Sequence, residues 1–439
     1  MMPIADPSAR VRADTIAAYI ERTGGRSSGF DYLRLLLAFM VIFTHSFAVT
    51  RGHLHDLDFT NPAARPFIHL VLPMFFGLSG FLVSGSLERC PTLITFFGLR
   101  ALRIVPALAV EICLSALILG PILTAYALPD YYADPQFRHY FLNIVGDIHF
   151  TLPGLFLNNP RPATVNGQLW TIPAELHCYA LLGALSVTSI VRRRGWLLAA
   201  AVGGVLMWVG VAISRPPSAE AVHNGANVPI LVLCFLLGVT AYRWRDRIPL
   251  NRPLLLVALA TALVLGFVPS GALLLPVPAV YLTIYLGFLD PPKLWAVRSG
   301  DYSYGVYLYG FPVQQTYASV PALREWYLNF TLSAITVFAL ALFSWHVIEK
   351  PATRLRRVLP GIEATLTRLA LGRGAGGRGP ALDRPFSSAW AIYLALGIGA
   401  VALMLNAHRQ WGVWTALAAF AFAIVRARLS QSVRAPVTA

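Results

Sequence analysis

The sequence predicts an all-α fold, a bundle of membrane-spanning helices, and three observations predict it. Hydrophobic residues make up 56% of the 439-residue chain and charged residues only 13%, about half the charged share of a typical soluble domain. Mean hydropathy is +0.62. Apolar runs recur along the whole chain, and each run of about 20 residues matches the hydrocarbon core of a bilayer.

Taken in order, the runs predict spans near 31–50, 66–84, 104–124, 168–190, 196–213, 227–242, 253–269, 272–289, 302–320, 329–348, 389–406 and 411–426. Several carry a proline (Pro73, Pro173, Pro312), and the two spans around Pro269 also fit one re-entrant hairpin. Basic residues orient the set, because cytoplasmic segments hold the excess of Arg and Lys. With the N-terminus cytoplasmic, the outer segments hold only Arg51, Arg65, Arg138, Arg161, Arg215, Arg324 and Arg409. All other basic residues, Arg34 excepted, fall on the inner side. One missed span would scramble that bias.

The division into units follows. Residues 1–29 form a polar cytoplasmic tail without a cleavable signal peptide, and 30–357 a ten-helix membrane unit. Residues 358–388 read as a basic linker containing "GRGAGGRGP", and 389–439 as a transmembrane hairpin with its tail. Residues 125–167, rich in Tyr, Asn and Pro, form a long outer loop suited to a lid. No internal repeat is visible, which argues against many secondary-transporter folds.

The formal charge of +15 does not imply nucleic acid, since basic residues fall between apolar runs rather than on one patch. Cys90, Cys113, Cys178 and Cys234 lie in or beside apolar runs without a CxxC pair, as reduced packing residues do. The outer "HLHDLD" run (His53, His55, Asp56, Asp58) has metal-like chemistry but reads as a solvated loop, so no metal is expected.

Ionisable groups within spans are candidate functional residues, because isolated charge there is costly. In "FDYLRLLLAFMVIFTHSF", Arg34 and His45 are eleven residues apart. That spacing returns to within about 20° of one helix face after a rise of ~16 Å. Arg34 then lies near the cytoplasmic boundary and His45 in the outer third. A guanidinium snorkelling to headgroups and an imidazole capping a carbonyl fit the same spacing.

In "NGQLWTIPAELHCYALLG", entering from the outer side, Glu175 lies ~10 Å deep, at a depth similar to His45. A carboxylate beside an imidazole makes a base and its orienter, or a structural pair joining two helices. Trp170 and Tyr179 flank that helix as surfaces for a sugar or an acyl chain. His177 and Cys178 point to different faces and do not form a nucleophile pair.

On the cytoplasmic side, "FFGLRALRIVPAL" places Arg100 and Arg103 three residues apart on one face. Forked guanidiniums suit phosphate, as they also suit ordinary inner-face anchoring. In "PMFFGLSGFLVSG", Gly77, Ser79, Gly80 and Gly85 permit either a close helix contact or a local break whose freed donors line a cavity.

Together these segments resemble the acyltransferase 3 family of integral-membrane O-acyltransferases over residues 30–357. The resemblance rests on Arg34 and His45, "FFGLSGFLVSG", the Arg-x-x-Arg of Arg100 and Arg103, "LWTIPAELHCY", "GDYSYGVYLYGFPV" and "HVIEKP", all in the family's order. It implies a ten-helix body in a bacterial inner membrane, acylating carbohydrates such as cell-surface polysaccharide units, or sometimes secondary metabolites. It further implies His45 as the central catalytic residue and the Arg pair as a cofactor-side element. Gly310, in "YLYGFP", replaces a histidine frequent in the family, so a second histidine role is not expected there.

The expected function is transfer of an acyl group, acetyl by preference, from cytoplasmic acyl-CoA to a carbohydrate hydroxyl. Arg34, Arg100 and Arg103 take the donor, His45 and Glu175 carry the chemistry, and Ser79, Trp170 and Tyr179 line the substrate site. Direct transfer and a covalent acyl intermediate both fit. The rival expectations are a proton-coupled glycan transporter using His45 and Glu175 as a relay, and a non-catalytic scaffold of a polysaccharide assembly complex.

Overall fold

The structure, a computed structural model, describes residues 14–25, 27–52, 62–90, 92–214, 227–268 and 271–362. The expected hairpin at 389–439, the basic linker beyond residue 362, the "HLHDLD" run and residues 1–13 of the N-terminal tail lie outside the described residues. Those described are overwhelmingly helical and contain no strand beyond one isolated bridge, Thr15 to Pro249.

Ten helices fall where the first ten apolar runs predict them. They are α1 (Gly29–Arg51), α2 (Arg65–Arg89), α3 (Leu93–Leu114), α4 (Thr171–Val187) and α5 (Arg194–Ser214). The rest are α6 (Val228–Arg243), α7 (Arg252–Phe267), α8 (Pro276–Gly287), α9 (Ser303–Ala318) and α10 (Trp326–Phe343). By length and composition α1, α2, and the longer runs containing α3 and α10 suffice to cross a membrane, while α5 to α8 are shorter apolar helices.

Local chemistry sets the helix starts. Asn227 Oδ1 accepts from the Ile230 N–H at 3.1 Å, and Asn251 Oδ1 from the Leu254 N–H at 2.9 Å. Each Asn precedes a proline in the first turn, where a backbone donor is not needed. Two long helices change pitch instead of ending: α3 runs on through a π turn at Ser115–Leu119, and α10 through one at Ser344–Glu349.

Glycine fixes the central crossing. A Cβ on Gly80 would meet the Phe235 carbonyl oxygen, and one on Gly238 would meet that of Gly77, so α2 and α6 cross backbone to backbone. Helix α2 continues unbroken from Arg65 to Arg89. Its glycines therefore serve a helix contact, and the alternative of a local break does not occur. Helices α1, α9 and α10 pack against one another, with Gly305 of α9 against Ala341 of α10 and Phe43 of α1 edge-on to Trp326 of α10.

The loop at 125–167 is more ordered than its composition suggests. It carries short helices at Leu128–Ala133 and Pro135–Tyr140, and the buried Tyr131 hydroxyl donates to the Ala116 carbonyl at 2.7 Å. All four cysteines are free, and Cys90, Cys178 and Cys234 are buried.

Candidate active site

Helices α1, α2, α3, α4 and α9 enclose a cavity of about 340 Å³. Its polar lining is Arg34, Ser79, Ser86, Arg89, Arg100, Arg103, Thr171, Glu175, Tyr179, Ser303, Tyr304 and Tyr307. Phe75, Phe76, Leu78 and Leu82 supply the apolar part. Six residues singled out from sequence thus meet here: Arg34, Ser79, Arg100, Arg103, Glu175 and Tyr179. His45 and Trp170 are not part of this lining.

The arginine end is organised by a residue the sequence reading passed over. Asp301, in the loop before α9, accepts from Arg34 Nη1 at 3.0 Å and Arg103 Nη2 at 2.8 Å, both through Oδ2. Ser303 Oγ donates to its Oδ1 at 2.6 Å. Burial alone would push this carboxyl up, but the guanidiniums of Arg103 and Arg34 and the Ser303 hydroxyl together hold it well below the ordinary carboxylate range. Asp301 is the one carboxylate in residues 291–324, a signal that could have marked it.

Arg100 is held differently. Its Nη2 donates to Ser86 Oγ at 3.2 Å, its guanidinium lies 5.8 Å from the Phe96 ring centre, and its Nε is buried with no partner among the described residues. It keeps donor capacity that Arg103 has committed to a carboxylate.

Deeper in the cavity, the Tyr179 hydroxyl donates to Glu175 Oε1 in a short hydrogen bond. Tyr307 bonds both the Thr171 hydroxyl and, at 2.6 Å, the Gln168 carbonyl. Thr171 and Tyr307 form the inner wall. Tyr304 donates to the Ile104 carbonyl at 3.0 Å, tying α9 to α3.

His45 lies beyond that wall, on the helix that carries Arg34. Its ring meets Phe311 edge-on at 5.3 Å between centroids, and its buried Nδ1 has no partner among the described residues. No hydrogen bond or ion pair among those residues joins His45 to Glu175, whose partner is Tyr179. The expected equal depth does not hold: Gln168 and Ile42 both neighbour Gly310, so the level of His45 is passed before Thr171, and Glu175 lies further along α4 within the cavity. Trp170 packs against the main apolar cluster instead.

Glu111 also escaped notice in the apolar run "ALAVEICLSAL". It is buried, accepting from Ser115 Oγ at 2.9 Å and Asn166 Nδ2 at 3.1 Å. Among the described residues no group of three or more His, Cys, Asp or Glu is arranged to hold a metal ion.

A cavity with cationic groups at one end, an apolar middle and hydroxyls at its inner wall can take a long anionic molecule whose reactive end points inward. Comparison with known proteins agrees with that chemistry. A family model described as an acyltransferase domain matches residues 27–350. An O-acetyl transferase of Shigella phage Sf6 is 27% identical over 343 residues, covering 74% of this chain and 96% of the relative. Nodulation protein 10 of Rhizobium leguminosarum bv. viciae is 28% identical over 366 residues, covering 77% and 96%. No solved structure matches the chain significantly.

Proposed function

From the premise that this chain belongs to the acyltransferase 3 family and is a membrane O-acyltransferase, we propose that it moves an acetyl group from cytoplasmic acetyl-CoA to a carbohydrate hydroxyl. The observation that carries this reading is the cavity with Arg34, Arg100 and Arg103 at one end and Glu175, Thr171, Tyr179 and Tyr307 further in. The donor's phosphates meet the guanidiniums, and its pantetheine arm follows the apolar middle inward. The name of the phage relative supports acetyl as the group transferred.

The reaction needs an acceptor hydroxyl to attack the thioester carbonyl. A C–O bond forms, the C–S bond breaks, and the hydroxyl proton leaves through a base to the CoA thiolate. His45 is the proposed base, 11 residues beyond Arg34 on α1 and so ~16 Å further along its axis. Glu175 acts through Tyr179 at the cavity wall rather than on His45. The proposed setting is a bacterial inner membrane with the N-terminus inside, donor from the cytoplasm and acceptor from the outer side, and the arginine bias between the two sides supports that orientation. The helical unit at 30–357 is the catalytic body.

The test uses the full chain in lipid nanodiscs with radiolabelled acetyl-CoA. His45→Ala should abolish transfer yet leave acetyl-CoA affinity within about twofold, because His45 is outside the cavity lining. Transfer at the wild-type rate would remove His45 from the mechanism. Absence of acetyl-CoA binding by the wild type would turn the reading toward a transporter.

A further inference from the structure

Behind the cavity's inner wall lies a buried polar layer that the transfer reaction does not yet use, centred on Gln168. This residue is 1% exposed. Its main-chain carbonyl accepts from Tyr307 of the cavity wall, yet its side-chain Nε2 and Oε1 are both buried and without a partner among the described residues. An amide stripped of water at both ends is strongly disfavoured. Glutamine is an unfavourable choice there unless something completes it.

The surroundings identify the layer. Gln168 Oε1 lies over Gly310 of α9, where a Cβ would stand 3.5 Å from that oxygen and 3.0 Å from Ile42 Cγ1. Gln314 Nε2 donates to the Ile42 carbonyl at 2.7 Å and leaves its own Oε1 unpartnered. His45 follows Ile42 by three residues on α1, one turn on, and its Nδ1 is likewise unpartnered. Phe311 packs against His45 on one side and beside Gly167 on the other. Three side chains that each carry an unsatisfied polar atom among the described residues, from three separate segments, therefore neighbour Ile42 or Gly310, and one of them is the proposed base.

Resting on the acyl-transfer reading above, we propose that the Gln168 side-chain amide holds the acyl acceptor beside His45, and that this acceptor presents two adjacent hydroxyls. A primary amide sets one donor and one acceptor side by side. A vicinal diol answers with an oxygen that accepts and a neighbouring hydroxyl that donates, giving a two-point grip. A simple alcohol satisfies only one end. A hydroxyl held at that edge lies next to the imidazole that takes its proton.

The experiment compares wild type with Gln168→Met, close in shape and without the amide, in nanodiscs with radiolabelled acetyl-CoA. Acceptors are p-nitrophenyl glycosides of glucose, galactose, mannose and rhamnose, and the monodeoxy forms of whichever sugar is acetylated. Removing a hydroxyl next to the acetylated one should lower wild-type kcat/KM by about 10–100-fold, the loss expected when buried polar groups go unpaired. In Gln168→Met, KM for the parent sugar should rise by about as much, the further deoxy penalty should shrink below about threefold, and acetyl-CoA affinity should be unchanged. Should that variant fail to fold, Gln168→Leu, which also lacks both ends of the amide, is put through the same comparison. Deoxy discrimination that persists in the folded variant overturns the assignment while leaving acyl transfer intact. A wild type that binds acetyl-CoA but acetylates no glycoside overturns the carbohydrate reading and this inference together.

Discussion

Arg34 of α1 and Arg103 of α3 donate to one and the same oxygen, Oδ2 of Asp301, at 3.0 and 2.8 Å. Two guanidiniums that would otherwise repel are thereby fixed at the rim of a shared cavity. Asp301→Asn should lower the melting temperature by several degrees, from a loss of about 1–3 kcal/mol, and raise the acetyl-CoA KM by about tenfold. Thermal unfolding in detergent and donor titration measure both, and a variant with wild-type values in each would remove Asp301 from the donor site.

The same carboxyl sets a pH window. Asp301 is held below the ordinary carboxylate range, so its contribution is fully present above the unfolded-state value of about 4 and is lost as pH falls through the folded value. The stability gap between wild type and Asp301→Asn should therefore stay constant from pH 8 to pH 5 and narrow only in more acid solution. A gap that closes between pH 8 and 6 would trace the effect to another group.

Arg100 and Arg103, alike in sequence, should separate by experiment. Arg103 bonds a carboxylate, whereas Arg100 bonds the Ser86 hydroxyl and keeps an unpartnered Nε. Arg100→Ala should weaken acetyl-CoA binding by about 10–100-fold, as loss of a charge-assisted hydrogen bond does, with little change in melting temperature. Arg103→Ala should impair both. Equal profiles for the two variants would contradict the division of labour.

The sequence made ten of the helices legible because each apolar run is a long one-dimensional signal. The cavity arginines were legible because charge inside or beside an apolar run is conspicuous. What could not be read was relative depth. Counting residues from estimated span ends put Glu175 level with His45, whereas Gln168 and Ile42 share the neighbourhood of Gly310 and Glu175 lies further along, in the cavity, bonded to Tyr179. Asp301 was missed because it lies in a loop, and Gln168 because an uncharged amide leaves little mark on hydropathy.

The glycine crossing gives a stability test independent of chemistry. A Cβ at Gly80 would strike the Phe235 carbonyl, part of the helix backbone rather than the end of a flexible side chain. Gly80→Ala should therefore force α2 and α6 apart and destabilise the fold by about 1–3 kcal/mol, as overpacking does. Gly203→Ala on α5, where a Cβ meets nothing within 4 Å, is the matched control. Unfolding of both in the same detergent checks this, and equal midpoints would mean the crossing tolerates the methyl.

Glu175 and Tyr179 offer the sharpest separation between the expected pairing of Glu175 with His45 and the observed hydrogen bond from Tyr179. If Glu175 orients His45, Glu175→Gln should shift the pH–rate profile, since the charge stabilising the imidazolium is gone. The hydrogen bond from Tyr179 to Glu175 points elsewhere. Glu175→Gln and Tyr179→Phe should then share one phenotype, and the double variant should lose no more than either alone, because residues in one contact are not additive. Both should raise the donor KM by about 3–10-fold, as loss of a hydrogen bond of about 1 kcal/mol allows, with the pH midpoint of kcat unmoved. Initial rates from pH 5.5 to 8.5 decide it. A shifted midpoint in Glu175→Gln alone would return the carboxylate to His45.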